Sequence, residues 1–124
     1  MAYEPDFKKW GTPQFNAGVD YALTIRSLMK AAHEYMVATD YLTVFKVLEQ
    51  LEIELIPRMQ KDQYDKSQKV KKNCMFFFIH LEYQSDLRFR LSLSRWFAVL
   101  NAIAHELGVI MPDKGSVYDN IDIT

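Results

Sequence analysis

The chain has 124 residues, 49% of them apolar and 14% aromatic, enough for one domain with a core of its own. A net charge of −1 supplies no global field for nucleic acid or an anionic membrane, and a single cysteine, Cys74, excludes an internal disulfide framework. Four glycines and four prolines are too few for a disordered chain or a turn-rich β fold.

Residues 1–12 read as an irregular lead anchored by Tyr3, Phe7 and Trp10. The opening Met-Ala-Tyr-Glu-Pro-Asp has neither a basic start nor an apolar run, so it is not expected to be a secretory signal. Thr12-Pro13 is a helix start, with threonine as cap and proline at the first helical position. The stripe Val19, Ala22, Ile25, Met29, Ala32, Met36, widened by Leu28 and Tyr35, predicts a first helix over about 13–38.

Asp40 is a candidate cap for a second helix over about 40–57. Its stripe is Val44, Leu48, Leu51, Leu55 and Met59, with Phe45, Ile53 and Ile56 adding apolar area. Lys46, Glu49, Gln50, Glu52 and Glu54 are read as its polar positions. Pro57 lacks an amide donor and disfavours helix at Ile56, so an end or a kink is expected there.

Residues 60–73 are polar but rich in lysine and glutamine, which favour helix. Val70, Cys74, Phe77 and Leu81 then share a stripe, and a third helix is predicted over about 63–83. Ser85 can cap a fourth over about 85–107, with Phe89, Leu93, Trp96, Leu100, Ile103 and Leu107 as its apolar face. Gly108 is a C-terminal stop signal, and Pro112 follows. Strict alternation over 87–94 is a competing strand signature, with 76–83 as the hairpin partner. Helix is preferred because the intervening Gln84-Ser85-Asp86 lacks hairpin turn chemistry. The prediction is an all-α, up-down-up-down four-helix bundle, one domain over 1–124, with an irregular N-terminal lead and C-terminal tail.

A di-iron bundle site requires Glu-x-x-His on two helices, but Lys30, Phe77 and Ala102 precede His33, His80 and His105 by three residues. No C-x-x-C pair, phosphate-cradling glycine loop, dinucleotide fingerprint or G-x-S-x-G elbow is present. His33-Glu34 and His105-Glu106 are adjacent pairs, which diverge by about 100° on a helix and do not face one another. Cys74 has Lys71 and Lys72 nearby, but it lies on an apolar stripe and is expected to be a small buried hydrophobe. No cofactor and no catalytic residue are assigned.

Two features point to partners. Phe76, Phe77 and Phe78 span most of a helical turn, so at least one must leave the core; Phe76, Phe78 and the tail residue Tyr118 are candidate interface positions. Lys66, Lys69, Lys71 and Lys72, with Arg88, Arg90 and Arg95, form a candidate nucleic-acid patch on which Tyr64 could stack. The leading expectation is a non-enzymatic helical protein–protein interaction module, homo-oligomeric and cytoplasmic, with no membrane partner. The alternative is a nucleic-acid-binding regulator that uses the basic segment 58–72 with Arg88, Arg90 and Arg95.

Overall fold

A computed structural model describes residues 19–80 and 87–110. Among these the protein is all-helical: α1 (Val19–Val37), α2 (Tyr41–Leu55), α3 (Lys61–Ile79) and α4 (Leu87–Glu106). The alternating stretch 87–94 is helical, so the apolar period set by Phe89, Leu93 and Trp96 prevails over the two-residue pattern. The predicted helix start at Thr12-Pro13, the cap at Ser85, and Leu81 and Tyr118 lie outside the described residues.

Local chemistry sets the helix ends. The Asp40 side chain accepts from the Thr43 amide at 3.3 Å and from the Thr43 hydroxyl at 2.7 Å, so the predicted cap of α2 is present. Pro57 ends α2 instead of kinking it: the helix stops at Leu55 and passes into a 3-10 turn over Ile56–Arg58. α3 starts two residues earlier than predicted because Gln60 and Gln63 form a reciprocal capping box.

α1 and α4 end in the same way. The Asp40 amide donates to the Tyr35 carbonyl and the Thr39 amide to Met36; the Val109 amide donates to Ala104 and the Gly108 amide to His105. Both are Schellman ends, which need a left-handed residue after the last turn. Gly108 supplies it at φ 73°, whereas α1 forces Thr39 to φ 59°.

α1 packs chiefly on α2 and α3 on α4, and the two pairs meet mainly where α2 lies against α4. The Tyr21 hydroxyl donates to the Glu54 carbonyl at 2.8 Å, tying the start of α1 to the end of α2. The Arg58 guanidinium lies 3.8 Å over the Tyr21 ring. In the other pair, the Gln63 amide group donates to the Glu106 carboxylate at 3.1 Å.

The core holds the predicted stripes: Ile25, Leu28, Met29 and Ala32 from α1, Val44, Leu48, Leu51 and Leu55 from α2, and Phe89, Leu93, Trp96 and Leu100 from α4. α2 is the central helix and departs from the prediction. Ile53, read as added apolar area, is 55% exposed, while Glu52 and Glu54, read as polar positions, are 1% and 4% exposed. The reason is coverage from two sides: α1 packs on one flank and α4 on another, leaving an outward strip through Lys46 and Ile53, seven residues apart. α3 is the converse case, since Ser67 and Cys74 are its fully buried residues.

Candidate functional site

Because α3 buries so little, most of its circumference faces outward. Lys69, Lys72, Phe76 and Ile79 follow at steps of three, four and three, which puts them on one face. Lys69 and Lys72 are exposed, Phe76 is 57% exposed and Ile79 65% exposed. The face is therefore cationic over its first half and apolar over its second. The His80 imidazole lies 5.0 Å from the Phe76 ring, and Phe76 meets Phe77 edge-on at 5.2 Å. Arg88 reaches over Phe77 at 5.8 Å, so the start of α4 stands beside the end of α3, and the neighbouring Leu87 is 61% exposed.

Of the predicted interface residues, Phe76 is at the surface and Phe78 is not. Phe78 is half-buried and stacks on Phe45 at 4.3 Å with the rings 11° apart. Phe45 in turn meets Trp96 at 5.5 Å. Consecutive aromatics on a helix diverge by about 100° each, so Phe76 and Phe78 point in very different directions and only one can face a partner. Tyr118 lies outside the described residues.

The seven candidate nucleic-acid residues do not form one surface. Lys66, Lys69 and Lys72 are exposed on α3. Lys71 turns inward and pairs with the Glu52 carboxylate at 3.3 Å. Arg88 and Arg95, seven residues apart, share one flank of α4, whereas Arg90 is about 200° around from Arg88. Arg90 lines a cleft toward α1 together with His33.

The Glu52 cluster is the feature that sequence reasoning missed. Its carboxylate receives the Ser67 hydroxyl at 2.5 Å, the Trp96 indole N–H at 3.3 Å and the Lys71 ammonium. One side chain of α2 thus ties α3 and α4 together. The signal was available: Glu52 is four residues after Leu48 and three before Leu55, so its spacing belongs to the apolar stripe. Ser67 and Trp96 are fully buried, which makes the cluster structural rather than a place for substrate.

Cys74 sits beside this cluster as a fully buried free thiol. Burial pushes its pKa up to about 11; a hydrogen bond with Ser92 acts downward and the Glu52 charge upward. At neutral pH the group is a protonated small hydrophobe, as its place on the stripe predicted, not a nucleophile. Among the described residues no three His, Cys, Asp or Glu side chains are grouped to hold a metal ion. No described helix is long and apolar enough to cross a membrane.

No family model matches the chain, and neither the curated proteins nor the solved structures contain a match to it.

Proposed function

We propose that this protein is a non-enzymatic helical interaction module that self-associates through the apolar end of α3. The observation that carries the reading is the exposure of Phe76 at 57%, Ile79 at 65% and Leu87 at 61% around the ends of α3 and α4. Large apolar groups grouped at one place favour covering by another protein surface. In this reading the four helices run up-down-up-down as two antiparallel pairs, which puts the α3–α4 connection at one end of the bundle. A net charge of −1 leaves little repulsion between copies. Lys69 and Lys72 restrict the contact to the apolar half of the face, because a longer self-pairing would set like charges together.

Phe76→Asp tests this directly. Sedimentation equilibrium or native mass spectrometry on the wild type should show a defined multimer. The variant should weaken association by about 100-fold or more, since each copy loses a buried phenyl contributing roughly 1.5–3 kcal/mol, while its helical circular dichroism is unchanged. A monomeric wild type, or a variant of unchanged mass, refutes the interface.

A second reading rests on the exposure of Lys66, Lys69 and Lys72 beside Tyr64, which is 41% exposed; it is a nucleic-acid-binding regulator. Lys71 does not belong to this set because its charge is used by Glu52. Replacing Lys66, Lys69 and Lys72 with glutamate should abolish binding to a single-stranded oligonucleotide and flatten its salt dependence. Binding that survives the triple substitution excludes the patch.

A further inference from the structure

α1 and α4 are each committed to another helix and touch one another sparsely. The seam between them opens into a cleft of about 310 Å³, at the lower end of the range for small-ligand sites. Its α4 wall is Arg90, Ser94 and Phe97, at successive steps of four and three, and its α1 wall includes His33 and Met36. The wall is firm, because Phe97 is 2% exposed and Ser94 8% exposed. Met36 is half-buried and adaptable.

We propose that this cleft binds a small aliphatic carboxylate, with the head group on Arg90 and the chain along Met36 and Phe97. Two observations and one chemical match favour that chemistry. Among the described residues no carboxylate lines the cleft, and Arg90 is the one permanent charge among them there. The polar side chains of Arg90, His33 and Ser94 have no hydrogen-bond or ion-pair partner among the described residues. The guanidinium fork matches a carboxylate in two parallel bonds, and a single cation suits a singly charged head group better than a phosphate. The site is separate from the outward face of α3 and does not depend on self-association.

Octanoate is the probe, titrated into the full chain carrying ¹³C-methyl methionine, with the Met36 signal assigned by Met36→Leu. The Met36 methyl should shift saturably with octanoate. Octanol, or octanoate with Arg90→Ala, should bind at least about tenfold more weakly, the usual loss when a charged hydrogen-bonding partner is removed. Ser94→Leu, which fills the cleft, should abolish the shift; Arg90→Ala, at an exposed position, keeps the test valid if Ser94→Leu does not fold. An unmoved Met36 signal overturns the proposal. Equal binding of octanol and octanoate also overturns it, because the head group would then go unread. So do cross-relaxation contacts between Met36 and residues 1–18 in the ligand-free protein, since the chain itself would be the occupant.

Discussion

Glu52 and Lys71 form an ion pair of 3.3 Å in which the carboxylate is 1% exposed and the lysine side chain 25% exposed. The pair crosses from the central helix to the outer one and, with the Phe45–Phe78 stack, ties α3 to α2. Truncating Lys71 to alanine leaves a buried carboxylate with only the Ser67 hydroxyl and the Trp96 N–H. The expected loss is roughly 3 kcal/mol, at the low end for a broken buried pair because water can reach the vacated cation site. Glu52→Leu with Lys71→Met should recover part of this in urea denaturation, because an apolar pair removes the uncompensated charge. The recovery stays incomplete, since Ser67 and Trp96 are left without their acceptor. A double variant no better than Lys71→Ala would show that the charge is not the origin of the loss.

The two Schellman ends make opposite predictions. Gly108→Ala meets no neighbouring atom within 4 Å, so its cost is purely the left-handed backbone, about 1 kcal/mol. Thr39 already bears that cost with a β-branched side chain. Thr39→Gly should stabilise the protein by roughly 0.5–1 kcal/mol, the relief of strain being partly offset by the greater freedom of glycine in the unfolded chain. Thermal melts of both variants test the pair, and movement in the same direction would refute the account.

Cys74 imposes a pH dependence. Its thiol is raised from 9.0 to about 11 in the folded protein, mainly by burial, so the folded state retains a proton that the unfolded chain releases. That contribution to stability is fully present below pH 9 and is lost as pH rises through 11, in total about 2–3 kcal/mol. Tyr21 is raised above 10.0 in the same sense, principally by burial, and adds to the decline at higher pH. Urea midpoints measured from pH 8 to 11 should fall in the wild type and fall less steeply in Cys74→Ala. Under native conditions the thiol should resist a disulfide reagent and react fully in denaturant.

Phe76 and Phe78 should behave differently despite their proximity in sequence. Phe78→Ala removes a ring stacked on Phe45 at 4.3 Å and should destabilise the fold by about 2 kcal/mol or more. Phe76→Ala removes a ring that is 57% exposed and should change monomer stability by less than about 0.5–1 kcal/mol. Denaturation below the association range separates the two effects.

The sequence by itself determined the four helices, the cap at Asp40, the stops at Pro57 and Gly108, and the burial of Cys74. Each depends on residues within about one turn of one another, or on a stripe that any partner would cover. Periodicity also located the core of α4, because Phe89, Leu93, Trp96 and Leu100 meet a single continuous interior. It misjudged α2, where Ile53 lies outside and Glu52 and Glu54 inside. A single stripe describes a helix covered on one side, and only the tertiary arrangement made α2 a helix covered on two. The same arrangement supplied Ser67, Lys71 and Trp96 as partners that make a buried carboxylate tolerable. It also divided the basic residues, sending Lys71 inward, Arg90 to the cleft and Lys69 to the surface. A charge run in sequence records how many cations are available; where each one points is decided by the helices that pack around it.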